Sequence, residues 1–433
     1  MKTICKRHNN GNRRTLIQVG NSILISKLLY GLELTGRNYE TLISILGPIY
    51  NKTIRLCSGL LPSTPAISAC FEAGVLPFHA TVALATVRGA VGALENPVRN
   101  TYSVSTITDP ISQRFPNCSI PRVSCLNRVM DRRWNNTSPK VDWSLKEVHK
   151  VGDPPEAVRS RFMQLINTKF KNIEQVYTDG SKNDKQVGVG IAFNNCSFFY
   201  RLPDICSIFS AEAAAIHEAL LTLLKLTHES AVIFTDSASV LMAIEHGKSK
   251  HPWIQAIESI CPKNVTLCWV PGHVGIRGNE EADRLANLGR KGKMLTREIP
   301  GFDIKRQLND GVRVSVTFDW RKEHTPFLRE IKGDLDCWVD RCNRKEQKVL
   351  SRIRTGHTLV THGQLFEGKG KPQCTICGVD LTIEHILINC PQYQDIRNTY
   401  LEDTSIRNIL SNDLNRETQL IRFLKDAKIF DRI

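Results

Sequence analysis

Residues 174–204 read EQVYTDGSKNDKQVGVGIAFNNCSFFYRLPD, and this stretch decides the fold class. QVYTDGSK reads as a strand ending in a turn at Gly180-Ser181, and VGVGIAFNN and SFFYRLPD read as two further strands joined by a tight NNC turn. SAEAAAIHEALLTLLKL follows as a strong helix with Ser210 as its expected N-cap. AVIFTDS is a buried strand, ASVLMAIEHG and HPWIQAIESI are helices, VTLCWVPGH is a strand, and NEEADRLANLGRKG is a closing helix. The order β-β-β-α-β-α-α-β-α predicts an α/β domain: a meander that runs on into a mixed sheet with helices on its faces.

The whole chain has 433 residues, enough for two or three domains. No run of about 18 apolar residues occurs, so no membrane span is expected. The most apolar stretch, FHATVALATVRGAVGAL (Phe78–Leu94), carries Arg88 and reads as a packed helix. The start, MKTICKRHNNGNRR, is basic but lacks the apolar core of a secretory signal. The 14 cysteines are mostly scattered, the pattern of reduced thiols rather than of a disulfide scaffold. Net charge is +15, and it is unevenly spread: residues 1–170 hold 22 Lys/Arg against 10 Asp/Glu, whereas residues 171–295 hold 13 of each. A basic N-terminal portion suits a polyanionic partner, although solubility alone would explain it as well.

The flanks are less regular. TLIQVGNSILISKLLYGLEL has helical apolar spacing, and NYETLISILGPIYNKTIRLCSGLLP is an amphipathic run ended by Gly59 and Pro62. Residues 96–150 are polar and read as linker-like, and VGDPPEAV (Val151–Val158) marks a boundary. Residues 296–433 are mainly helical and polar, interrupted by EGKGKPQCTICG. The expected division is a basic helical region at 1–150, a compact α/β domain at 171–293 and a helical region at 296–433.

Four acids stand at element ends in the middle segment: Asp179 after the first strand, Glu212 in the first turn of the long helix, Asp236 after VIFT, and Asp283 in the first turn of the last helix. Each alone has a plain structural reading. Asp179 could serve the turn, Asp236 could cap the next helix, and Glu212 and Asp283 could be favourable charges near helix N-termini. Together they are carboxylates that a mixed sheet can bring to one place, where their mutual repulsion calls for a hard cation such as Mg²⁺. Two ions about 4 Å apart can activate water against a phosphodiester.

YTDGS, SAEAAAIHEAL, FTDSASVL and WVPGHVGIRGNEEADRLA, in that order, closely resemble type 1 ribonuclease H over residues 174–292. The resemblance implies a five-stranded mixed sheet with helices on both faces. It implies Asp179, Glu212, Asp236 and Asp283 as catalytic acids holding two Mg²⁺ (or Mn²⁺) ions, with Asp179 shared between them. It implies His273, on the mobile PGHVGIRG loop, as an accessory group that handles protons or helps product leave. The implied reaction is endonucleolytic cleavage of the RNA strand of an RNA–DNA hybrid, leaving a 3′-hydroxyl and a 5′-phosphate. Gly180 and Ser181 would approach the RNA strand, and Asn279 would cap the last helix and could touch the site. Cellular members often carry a basic protrusion where this chain has EHGKSKHPWIQAIESI, with only Lys248, Lys250 and His251. The basic N-terminal segment is expected to supply the missing hybrid contacts.

CTICGVDLTIEHILINC gives Cys374-x2-Cys377-x7-His385-x4-Cys390, the donor types of a closed structural Zn²⁺ site. Reduced core cysteines beside a surface His are the alternative. Cys337 and Cys342 in CWVDRC read as core packing, and His357 and His362 as structural. The spacing is similar to the C-terminal cysteine–histidine motif of non-LTR (LINE-like) retrotransposon polyproteins, and KLLYGLELTG and ACFEAGVLPFHATVALATVRG look like the thumb region of their reverse transcriptases. No Tyr-x-Asp-Asp string occurs, so polymerase activity is not carried over. The resemblance thus implies the C-terminal part of a retroelement polyprotein acting on nucleic acid. The rival expectation is a remnant that binds nucleic acid without needed catalysis.

Overall fold

A computed structural model of the chain describes residues 12–30, 39–95, 115, 124–126, 139–148, 153–226, 230–322, 327–339, 343–368, 370–401 and 405–433. The chain divides into two compact units: Arg88–Thr108 with Ile120–Leu308, and Met1–Val87 with Asp109–Ser119 and Asn309–Ile433. Helices from both flanks of the sequence therefore belong to one unit, and the central α/β segment dominates the other.

The α/β unit is built on a six-stranded sheet of order β1-β6-β5-β2-β3-β4. Its strands are β1 (Lys140–Asp142), β2 (Glu174–Lys182), β3 (Val187–Phe193), β4 (Ser197–Leu202), β5 (Ala231–Thr235) and β6 (Val265–Trp269). β2, β3 and β4 form the antiparallel meander, and β5, β6 and β1 continue the sheet in parallel from β2. β2–β6 are the five strands expected. β1 is an addition from the stretch read as linker-like, and its three residues are too few to show an alternation. It is fixed at its end by Asp142, buried and paired with Lys169. The opposite edge is covered too: the Arg201 N–H donates to the Lys293 carbonyl and the Leu295 N–H to the Arg201 carbonyl, both at 2.8 Å. Covered edges protect a sheet from pairing with other chains.

Five helices flank the sheet: α1 (Pro155–Lys169), α2 (Ile208–Leu226), α3 (Ala238–His246), α4 (Pro252–Ile260) and α5 (Arg277–Gly289). On one face α1 and α5 enclose Phe162, Phe170, Tyr177, Phe234, Val270, Ile276, Ala282 and Leu285 in a single apolar cluster. Phe162 and Phe170 meet the Phe234 ring edge-on at 5.3 and 5.8 Å. On strand β2, Gly180 has the opposite parity to Tyr177 and faces Ala211 and Glu212 of α2. Gly188 and Gly190 let α5 lie directly on β3, because a Cβ at either would collide with the helix backbone at Ala286 or Ala282.

α2 begins earlier than expected. Its cap is Ser207, whose Oγ accepts the Ser210 N–H at 3.2 Å, the geometry of an N-cap to the third helical residue. Ser210 is buried inside the first turn instead. Its hydroxyl donates to Asp303 Oδ2 at 2.6 Å and lies 2.9 Å from His251 Nε2. His251, read as a candidate basic contact, is thereby withdrawn from solvent, and burial lowers its pKa to about 4. Asp303 belongs to helix α6 (Gly301–Lys322), so this buried triplet ties residues beyond 293 into the α/β core.

The second unit is helical among its described residues. Arg13–Leu29 is helical through a π turn at Asn21–Ile25, and the following Gly31–Leu34 lie outside the described residues. The helix Tyr39–Ser58 stops at Gly59, whose φ of 76° is left-handed. Leu16, Ile17, Tyr50, Ile54, Cys57, Ala69 and Cys70 form its first core. A buried ionic chain joins sequence-distant parts: Arg13 pairs with Glu72 at 2.9 Å, Glu72 accepts from Trp338 Nε1 at 2.7 Å, and Arg354 stacks over Trp338 while pairing with Glu417 at 2.5 Å. Each charge is compensated, the condition for burying it. Cys337 is exposed rather than in the core, because Trp338 takes the buried position beside it, and Cys342 lies outside the described residues.

The glycine contact of β3 with α5 gives a direct test. Gly190→Ala should lower the stability of the α/β unit by about 3 kcal/mol, since its new methyl would meet helix backbone that has no rotamer to change. Urea unfolding followed by circular dichroism measures it, and an unchanged midpoint would contradict the close packing.

Candidate active site

The register of two parallel strands builds the centre of the site. β2 and β5 pair with Thr178 opposite Thr235 as the last matched residues. Asp179 and Asp236 come next on each, side by side: β5 ends at Thr235, while β2 runs on past Asp179 to Lys182 in pairing with β3, so Gly180 and Ser181 are strand residues rather than the expected turn. The two acids stand where the sheet changes from antiparallel to parallel growth, the position at which open α/β sheets form clefts. α2 contributes Glu212 from the opposite side. A Cβ on Gly180 would stand 2.7 Å from the Glu212 nitrogen, so glycine there is what lets the helix approach β2. Carboxylate oxygens of Asp179, Glu212 and Asp236 all lie within 4.8 Å of one another.

The other expected residues take different places. Asp283 lies outside this trio and in the second turn of α5, because the helix begins at Arg277. Its Oδ1 accepts from Asn287 Nδ2 at 2.9 Å, and Asn287 Oδ1 accepts from the Ser181 hydroxyl at 2.7 Å. Glu212 is likewise in the second turn of its helix. Asn279 is not the cap of α5, since it sits within the first turn. It is 3% exposed and directs Nδ2 at Asp236 Oδ2, 3.5 Å away. Gly272 also borders Asp236, with space for a Cβ only 2.6 Å from Oδ2. Trp269 Nε1 donates to the Asp236 carbonyl at 3.1 Å. His273 is exposed, with a left-handed φ of 55°, in the loop between β6 and α5. Its charge, when present, favours the ionised form of Asp236.

The electrostatics are those of crowded acids. Burial first, then the charges of Asp236 and Asp283, push Asp179 up to about 8. Burial and then Asp179 push Glu212 well above the usual carboxylate range. Burial raises Asp236, against the opposing hydrogen bond from Asn279. The Gly180 N–H, close to both groups, favours the ionised forms of Asp179 and Glu212 and partly offsets these shifts. Glu212 Oε2 and Asn279 Oδ1 are buried without a hydrogen-bond partner. Oxygen-only donors, raised acidities and an orphaned carboxylate oxygen together fit a hard divalent cation. Asn287 and Gly272 were not singled out in the sequence; the i,i+4 spacing of Asn287 from Asp283 was the available signal for the first.

A second cluster lies in the helical unit. The donor atoms of Cys374, Cys377, His385 and Cys390 lie within 4.8 Å of one another. Gly378, at φ 67°, turns the chain so that its N–H donates to the Cys374 carbonyl at 2.8 Å. A π turn at His385–Asn389 carries the second pair of donors, and Arg397 holds the carbonyls of Leu387 and Cys390 at 2.9 and 2.7 Å. The His385 imidazole, with the N–H groups of Cys377 and Ile376, lowers the Cys374 thiol to about 6, while His385 Nε2 is buried without a hydrogen-bond partner. His357 and His362 stand apart from this cluster and stack on each other at 3.9 Å.

The sign of the Asp179 shift makes a prediction for the metal-free protein. A carboxyl whose folded pKa is raised from 3.8 to about 8 favours folding at low pH and loses that contribution as pH rises through this window. Metal-free protein should therefore lose stability between about pH 4 and pH 8. Asp179→Asn should flatten that slope and raise stability at pH 8 by on the order of 2 kcal/mol. Thermal unfolding in EDTA across the pH range measures both, and a parallel pH dependence in the two proteins would contradict the assignment.

Comparison with known proteins bears on the same segment. The ribonuclease H family model matches residues 171–291. The Pol polyprotein of equine infectious anemia virus (strain Wyoming) is 28% identical over 196 residues, which cover 42% of this chain and 17% of that protein. A ribonuclease H of Pseudomonas fluorescens is 49% identical over 47 residues, 11% of this chain and 31% of that protein. The chain thus spans a small part of the length of the polyproteins it matches. The mixed sheet, its helices and the family match agree that residues 171–291 form a ribonuclease H domain.

Proposed function

We propose that the ribonuclease H domain hydrolyses the RNA strand of RNA–DNA hybrids, using Asp179, Glu212, Asp236 and Asp283. The observation that carries the reading is the convergence of Asp179, Glu212 and Asp236 within 4.8 Å, with Asp179 raised to about 8. Such a group is poorly tolerated in its ionised form unless cations share it. Two Mg²⁺ or Mn²⁺ ions held by these acids would supply Lewis-acid charge to the scissile phosphodiester and to the attacking water.

The chain's own residues supply the remaining parts. The register of β2 and β5 fixes Asp179 beside Asp236, and Asn279 fixes the Asp236 carboxylate. Asn287 fixes Asp283 and, through Ser181, links it to the end of strand β2. Ser181, half-buried, offers a small residue where an RNA strand can approach, and 2′-hydroxyls and groove shape would select it, while Gly180, expected to share that role, is buried beneath α2. His273 stands on its loop able to accept a proton at an imidazole nitrogen as water attacks phosphorus, while the departing 3′-oxygen takes one from solvent. The products are a 3′-hydroxyl and a 5′-phosphate. Lys248 and Lys250 are exposed and available to the hybrid; His251 is buried and is not.

The setting we propose is a non-LTR retroelement polyprotein segment. The match to viral Pol polyproteins supports the retroelement origin, and the spacing of the C-terminal Cys/His cluster is what favours the non-LTR kind. Cys374, Cys377, His385 and Cys390 fit Zn²⁺ by three sulfurs and one imidazole whose donor atoms converge within 4.8 Å.

Three measurements test these readings. With a labelled RNA–DNA hybrid and Mg²⁺, wild type should cleave the RNA strand, and Asp236→Asn should lower kcat/KM by about 100-fold or more. No cleavage by wild type would defeat the enzyme reading, and indifference to the substitution would defeat the site. His273→Ala should slow turnover by about tenfold and leave measurable activity; a loss as complete as that of Asp236→Asn would mean that its role is not accessory. Purified protein should carry about one zinc per chain, lost in Cys374→Ser together with stability of the helical unit. Metal analysis showing equal zinc in both proteins would rule the site out.

A further inference from the structure

We infer that Arg159, on the helix that precedes the matched domain, is a positioning residue for the loop that carries His273. The inference rests on the hydrolase reading above and extends it to a residue outside 171–291.

The loop between β6 and α5 is anchored at both ends and strained between them. Val270 is fully buried and donates its N–H to the Thr235 carbonyl at 3.0 Å, and Ile276 is buried in the apolar cluster. Between these anchors His273 has φ 55° and Gly275 φ 80°. A histidine has a Cβ and enters the left-handed region only when its surroundings hold it there. Val274 packs partly buried against the apolar cluster, whereas His273 and Gly275 on either side of it are exposed.

Two side chains from outside the loop grip its backbone. Glu280, in the first turn of α5, accepts the Gly275 N–H at 3.1 Å. From the other side, Arg159 Nη1 donates to the Val274 carbonyl at 3.4 Å. The same nitrogen would stand 2.5 Å from a Cβ at Gly275, so the guanidinium rests on the bare Cα of that glycine. Arg159 is itself aimed by Glu156, which accepts from Nη2 at 2.9 Å. Its helix is a firm base: Val158 and Phe162 are buried, and Phe162 meets Phe234 in the core. One guanidinium thus spans the helix and the peptide next to His273, and it favours the loop conformation in which the imidazole stands on the strained residue between Gly272 and Val274. Arginine suits this place because its planar fork serves Glu156 and the loop carbonyl at once, which an ammonium cannot do in the same geometry.

The test uses full-length protein with three variants: Arg159→Ala, Arg159→Lys, and Arg159→Ala combined with His273→Ala. Arg159→Ala should speed hydrogen–deuterium exchange at residues 272–275 without changing exchange in β2 and β5. It should lower kcat on the hybrid by about fivefold and leave KM unchanged. Arg159→Lys should restore part of the loss. In the His273→Ala background, Arg159→Ala should cost nothing further, because the arginine acts through the histidine. Additive losses in the double variant would overturn the inference. So would a raised KM with a salt slope shallower by about one, which would mean a direct phosphate grip. Unchanged loop exchange in Arg159→Ala would overturn it as well. The exchange arm needs no turnover, so it decides the loop contact even if wild type fails to cleave, a result that would instead count against the hydrolase reading.

Discussion

The functional architecture hangs on one strand register. Thr178 opposite Thr235 ends the parallel pairing of β2 with β5, and the residues that follow are both aspartates. A slip of one residue would turn one of them to the other side of the sheet. Held as they are, two acids stand together where the parallel pairing of β2 and β5 ends, and Gly180 allows a third to descend on them from α2. The fold therefore stores electrostatic repulsion at one end of its sheet. Burial raises the cost, and a cation with oxygen ligands is the simplest relief.

Around that centre the domain is larger than its family-matched core. β1 and α1 precede the match and α6 follows it, yet Phe162 against Phe234 and Asp303 against Ser210 are buried contacts of the α/β unit, and the buried Asp142 takes the exposed Lys169 as its partner. Buried polar groups hold their neighbours firmly when each has a partner, and the Ser210–Asp303 hydrogen bond lies two residues from Glu212 on the same helix. The extensions thus support the very elements that present the acids. The helical unit follows the same rule by other means: Arg13, Glu72, Trp338, Arg354 and Glu417 come from distant parts of the chain and satisfy one another out of water.

Much of this was legible in the order of residues. The three-strand meander, the helix after it and the alternation of strands and helices followed from short-range period, whereas β1 and α1 lie in stretches read as a linker and a boundary, and β2 runs on through the expected turn at Gly180-Ser181. The acids were legible as a set, since each was read at the end of a strand or near a helix start, although β2 continues three residues past Asp179. What local pattern could not supply was the exact beginning of helices. Ser210 and Asn279 have the side chains of caps, but α2 and α5 start before them, and both residues turn inward to bond Asp303 and Asp236. His251 has the composition of a surface contact and is buried for the same reason: its partner, Ser210, is 41 residues away.

The sequence by itself determined the period of the strands, the family motifs and the identity of the candidate metal donors, because those depend on residue type and near spacing. Only the tertiary structure decided that β1 closes the sheet edge, that Asp283 stands apart from the trio, that Asn287 steadies it, and that Arg159 reaches the His273 loop across 115 residues of chain. Those facts are contacts between segments whose separation along the chain says nothing of their distance in space. They are set by how the apolar faces of α1, α5 and the sheet are buried together, and the polar side chains take the partners which that burial brings within reach.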